Sequence, residues 1–80
     1  MSLPRRFKKF DVRPAVMRGD EPYPEILKHV DALKPDEGLA IIAPFLPAPL
    51  IEKLGSEGFK SRVERAGDGS WVVYFWRETD

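Results

Sequence analysis

Apolar residues recur along this chain with two periods, and the switches between them outline the elements. Over Phe7–Val12 the pattern alternates, with Phe10 and Val12 on one side and Lys9 and Asp11 on the other, as in a half-buried strand. Arg13 to Asp20 is punctuated by Pro14 and Gly19 and reads as a loop. From Glu21-Pro22-Tyr23-Pro24 the period lengthens: Tyr23, Ile26, Leu27, Val30 and Leu33 form one stripe at helical spacing. Proline suits a first turn, whose N–H groups have no intrahelical partner, so the pattern predicts a helix from there to about Leu33. His29 falls off the stripe, on the expected solvent face. Lys34-Pro35-Asp36-Glu37-Gly38 then turns the chain.

Leu39-Ala40-Ile41-Ile42-Ala43 is a continuous apolar run bounded by glycine and proline, which suits a central strand. The proline-rich Pro44–Pro49 leads to a second helix, about Pro49 to Glu57, with Leu50, Ile51 and Leu54 inward. Gly58 before Phe59 predicts a left-handed helix stop with an apolar residue just beyond it. Phe59 to Arg65 alternates, with Phe59 and Val63 inward, and Gly67-Asp68-Gly69 is a hairpin signal. Trp71 to Trp76 is the most apolar strand, with Trp71, Val73 and Phe75 on one side and Val72, Tyr74 and Trp76 on the other. The order β-α-β-α-β-β is most economically an α+β, two-layer sandwich, with two helices on one face of a four-stranded mixed sheet.

Composition narrows the chemistry. Eighty residues form one expected domain, 1–80, able to bury about 60–65% of the surface its unfolded chain exposes. There is no cysteine, which excludes disulfides, a thiolate nucleophile and thiolate metal ligands. With no secretory signal and no long apolar run in the sequence, the expected location is the cytoplasm of a bacterial cell, with no membrane contact. Thirteen basic and thirteen acidic side chains cancel, so nucleic acid is not an expected partner. The basic cluster Arg5-Arg6-Phe7-Lys8-Lys9 reads as a solvated terminus running into an edge strand. A single histidine makes no metal site, and no catalytic triad, Walker loop or dinucleotide fingerprint is present; no cofactor is expected.

Several of these residues carry a resemblance. The strand end Phe10-Asp11-Val12-Arg13, the helix start Glu21-Pro22-Tyr23-Pro24 and Gly58-Phe59 before a terminal hairpin resemble the TusA/SirA-like sulfur-carrier superfamily. An uncharacterised, domain-of-unknown-function branch of it in bacteria is similar in its Asp-x-Arg-Pro strand end and its Ala-Pro-Phe-x-Pro stretch, here Ala43-Pro44-Phe45-Leu46-Pro47. The resemblance runs from about Phe7 to Arg77 and implies the sheet order 1-2-4-3, with the last strand interior. Where the carriers hold Cys-Pro-x-Pro, whose thiolate gains from the positive helix end and carries a persulfide, this chain has Glu21. A carboxylate accepts no sulfane sulfur, and the first loop is a few residues longer here, so the resemblance carries the fold and not the sulfur relay.

Two surfaces remain as candidate sites. Ligands of open α/β sheets sit beyond the carboxyl ends of parallel strands. That edge gathers Asp11, Arg13, Arg18, Glu21, Pro22, Pro24, Pro44 and Phe45, and two helix starts with two arginines suit a small anion. The plainer account pairs Asp11 with Arg13, caps a helix with Asp20 or Glu21, and leaves the prolines to stiffen loops. The second surface is the sheet face without helices, where Trp71, Tyr74, Phe75 and Trp76 supply a candidate interface for a protein partner or a homodimer. Chain ends or the stems of Lys60 and Arg62 are the alternative cover. The expected function is a non-catalytic binding or protein-interaction module; the alternative is a divergent enzyme or carrier using Glu21 and Arg13. A glutamate at a helix start is held ionised, which makes a poor acid and a weak base.

Overall fold

The computed structural model describes residues 6–77. Its elements are β1 (Arg6–Asp11), α1 (Arg13–Met17), α2 (Tyr23–Asp31), β2 (Glu37–Ala43), α3 (Ala48–Ser56), β3 (Phe59–Arg65) and β4 (Trp71–Arg77). The strands form one mixed sheet in the order β1-β2-β4-β3, with β1 and β2 parallel and the other neighbours antiparallel. The order implied by the resemblance is therefore the order observed. It places the most apolar strands, β2 and β4, in the centre and leaves the charged strands at the edges.

Three helices are described, not two. The segment expected as a loop opens with α1, five residues long with Pro14 in its first turn. Proline and glycine here are the entry and exit of a short helix rather than loop punctuation. Val16 N–H donates to the Val12 carbonyl at 3.0 Å and Arg18 N–H to Pro14 at 3.1 Å. Val16 also packs on the core, which gives this short helix its tertiary support.

One hydrophobic cluster lies between the helices and one sheet face. Leu39, Ile41, Val73 and Phe75 contribute from the sheet, Ile26 and Val30 from α2, Leu50 and Leu54 from α3. The expected stripe of α2 is narrower than its spacing suggests, because Leu27 is only half-buried and lies outside this cluster. His29 is not on the solvent face. It is half-buried, its ring 4.2 Å from that of Phe10 on edge strand β1. Val63 is likewise not inward in effect. It stands opposite buried Val73, yet is 40% exposed, because β3 is an edge strand of which only the first residue, Phe59, is buried. Gly58 does stop α3 in the left-handed region, at φ +92°, delivering Phe59 to the core.

On the opposite face the register makes a grid. Phe7, Gly38, Trp76 and Lys60 form one row; Lys9, Ala40, Tyr74 and Arg62 the next; Asp11, Ile42, Val72 and Glu64 the third. Phe7 lies over Gly38, where a Cβ would run into its ring and come within 2.8 Å of the Phe75 carbonyl oxygen. From there Phe7 meets Tyr74 edge-on at 5.1 Å and Trp76 at 6.2 Å. The basic cluster enters this edge strand from Arg6; Arg5 lies outside the described residues. Lys8 reaches the buried Glu37 carboxylate at 3.7 Å, and that carboxylate also accepts from Lys34 N–H at 2.9 Å.

Candidate functional site

The carboxyl ends of β1 and β2 point to the same edge, and the chain leaving them builds a cavity. After β1 the chain forms α1, turns at Gly19 and enters α2; after β2 it passes Pro44–Pro47 into α3. Between these segments lies a cavity of about 380 Å³ lined by Val12, Val16, Ile26, Ile41, Ala43 and Leu50, with Pro22, Tyr23, Phe45, Pro47 and Pro49 around them. Val12, Ile26, Ile41, Ala43 and Leu50 are each no more than 2% exposed and back the cavity, so its accessible wall comes from the residues around them. Asp20 and Glu21 are its acidic lining residues, and both are exposed. A second hollow alongside, of about 620 Å³, has Asp11, Arg18, Asp20, Glu21 and Glu25 in its lining.

The eight residues expected at this edge divide. Glu21, Pro22 and Phe45 line the cavity. Asp11 and Arg18 line the hollow beside it. Pro24 and Pro44 are exposed and line neither.

Arg13 turns away altogether. Its guanidinium Nη2 donates to Asp11 Oδ2 at 2.7 Å and its Nε to Asp11 Oδ1 at 2.9 Å. Nη1 donates to Asp68 Oδ2 at 3.1 Å and to the Ser70 hydroxyl at 2.9 Å. The plainer account of Asp11 and Arg13 therefore describes the observed pairing, extended by a hairpin that sequence reasoning did not connect to them. The Arg13 side chain bonded to it holds the Asp11 carboxyl below its ordinary value, and Asp11 in turn raises Arg13. Asp68 is held low first by the Ser70 backbone N–H, which donates to its Oδ1 at 2.9 Å, and further by Arg13. The second arginine is also taken: Arg18 Nε donates to Asp20 Oδ2 at 3.0 Å. Neither aspartate nor glutamate makes a side-chain cap at the start of α2, where Glu21 only receives a long 3.4 Å contact from Tyr23 N–H.

What the sequence reading missed at this edge is the apolar lining. Val12, Ile26, Ile41 and Leu50 were legible as core positions, but nothing local tells a core residue from one that walls a cavity. Pro47, just before α3, and Pro49, in its first turn, belonged to the expected Pro44–Pro49 stretch and line the cavity.

The expected aromatic interface also divides. Phe75 is fully buried under the helices and cannot contribute to the other face, and Trp71 alternates onto the same side, with Arg65 over its ring at 5.0 Å. Tyr74 and Trp76 do face away from the helices, with Phe7, Arg62 and Glu64 around them. The neighbouring Glu64 carboxylate and partial burial together push that phenol above its ordinary value. All three rings are half-buried by one another, whereas the large apolar side chains most exposed are Met17, Phe45, Leu46 and Val63.

Among the described residues no three His, Cys, Asp or Glu side chains gather as a metal site, and no helix is long and apolar enough to cross a membrane.

A four-stranded 1-2-4-3 sheet with helices on one face defines a small α+β fold. Residues 9–77 match the family described as Uncharacterized conserved protein (DUF2249), and the chain belongs to that family. No curated protein and no solved structure matches the chain.

Proposed function

We propose that this chain is a non-catalytic binding module that holds an apolar group in the cavity at the carboxyl ends of β1 and β2. One observation carries the reading: a cavity of about 380 Å³ lined mainly by apolar side chains, at the edge where open α/β sheets take their ligands. The exposed Phe45 at the cavity, with exposed Met17 and Leu46 on neighbouring segments, supports the same edge over the open sheet face, whose rings cover one another. The enzyme alternative loses support because Arg13 is bonded to Asp11, Asp68 and Ser70, and is not among the residues that line the cavity with Glu21.

Kinship with the TusA/SirA-like carriers belongs to the same proposal. The 1-2-4-3 sheet supports it, and Glu21 stands where the carriers keep their cysteine. Lack of cysteine is consistent with a cytoplasmic setting.

The test is titration of the labelled protein with a neutral arylalkyl alcohol, 4-phenylbutanol, while backbone amide shifts are followed. Saturable shifts at Ile26, Ile41 and Ala43 are expected. A flat response at those three amides up to the solubility limit of the alcohol sinks the reading.

A further inference from the structure

The charge around the cavity points to the class of ligand, on the premise that the cavity is the binding site. We propose that the ligand is an organic cation with an apolar body, its aryl or alkyl part in the cavity and its ammonium group beside Glu21.

The argument begins with the lining. It contains two carboxylates, Asp20 and Glu21, and no lysine or arginine. Asp20 is already neutralised by Arg18 at 3.0 Å. Glu21 makes no ion pair among the described residues; its one polar contact is the 3.4 Å approach of Tyr23 N–H. The carboxylate left to meet a ligand is therefore that of Glu21. Two aromatic rings, Tyr23 and Phe45, line the same cavity, and a ring face attracts a cation by its quadrupole. Phe45 is 50% exposed, so its ring is accessible to an incoming group.

The same geometry argues against an anion. The two arginines that would attract one each hold an aspartate: Arg13 bonds Asp11 and Asp68, and Arg18 bonds Asp20. An anion entering the cavity would displace none of these pairs and would face Glu21. The positive end of α2 is the opposing influence. It is weaker here than a full charge, amounting to about half an elementary charge that Glu21 itself partly offsets. The mainly apolar lining favours a cation with a hydrocarbon body; a bare ammonium or metal ion would leave that lining unfilled.

The experiment compares three probes of one shape, 4-phenylbutylamine, 4-phenylbutanol and 4-phenylbutyrate, by amide-shift titration at low and at moderate salt. The amine should bind about tenfold tighter than the alcohol, and the butyrate weakest, as a carboxylate partner at a water-exposed mouth allows. Glu21→Gln should remove most of the amine's advantage over the alcohol and leave the alcohol unchanged. Salt should weaken the amine alone. Equal binding of amine and alcohol, tighter binding of the butyrate, or an unaltered amine in Glu21→Gln overturns the cation assignment while the cavity reading stands. Amine shifts confined to residues 20–22, with Ile26, Ile41 and Ala43 still, mean surface pairing only and overturn it too. If the alcohol fails to reach the cavity amides, the cavity reading falls and takes the assignment with it.

Discussion

Arg13 and Asp68 stand 55 positions apart in the chain and 3.1 Å apart in the fold. One guanidinium thereby ties the start of α1 to the turn between β3 and β4, across the end of the whole sheet. Its planar fork also grips Asp11, so two aspartates and a serine share one cation.

The pH dependence of this junction has a definite sign. Asp11 and Asp68 both titrate lower folded than unfolded, so their contribution is present above about pH 4 and is lost as pH falls through the folded values. Arg13→Ala should lower stability at pH 7, and its difference from the parent should shrink on acidification towards pH 3. Arg13→Lys should recover little, because an ammonium cannot span both aspartates. Denaturant melts at pH 7, 5 and 3 check this; a difference that grows on acidification would contradict it.

Gly38→Ala should destabilise by about 1–3 kcal/mol even though alanine suits a strand better than glycine. The added methyl meets the Phe7 ring and the Phe75 carbonyl. Adding Phe7→Ala to it should recover part of the loss, since only the ring can be removed. Urea melts of the two single variants and the double variant measure that coupling.

Tyr74 should ionise above about pH 10, and Glu64→Gln should bring it down towards that value. The raised value favours the neutral phenol in the fold, a contribution present below the unfolded value and lost as pH rises through the folded one. In a Tyr23→Phe background Tyr74 is the one tyrosine left, and its absorbance titration reads the value directly.

Phe75→Ala and Phe45→Ala should separate core from site. Phe75 is wholly buried, and its truncation should cost about 3–5 kcal/mol. Phe45 is half exposed, and its truncation should leave stability within about 0.5 kcal/mol while weakening 4-phenylbutylamine. Thermal melts paired with the amide titration distinguish the two.

Much of this was legible beforehand. β3 runs over Phe59–Arg65 as its alternation predicts, and Gly58 takes the left-handed turn that its place before Phe59 predicts. α1 was hidden because Pro14 and Gly19 serve a short helix and a loop equally well, and its stability comes from Val16 on the core. At the expected edge the named residues divide: Glu21 and Phe45 line the cavity while Arg13 faces the hairpin. Similarly, alternation assigned Tyr74 and Phe75 to opposite faces, without saying which face the helices would cover.

The sequence by itself determined the strands, the two longer helices and the turns, because periodicity and glycine or proline dihedrals act over a few residues. It also determined that no thiol chemistry is open to the chain. Only the tertiary structure decided that Phe7 closes over Gly38, that Val63 is left uncovered at an edge, and that Arg13 is spent on Asp68 rather than on a ligand. Those outcomes depend on strand order and on how far each helix reaches over the sheet. Contacts between distant residues set both, and no local pattern contains them.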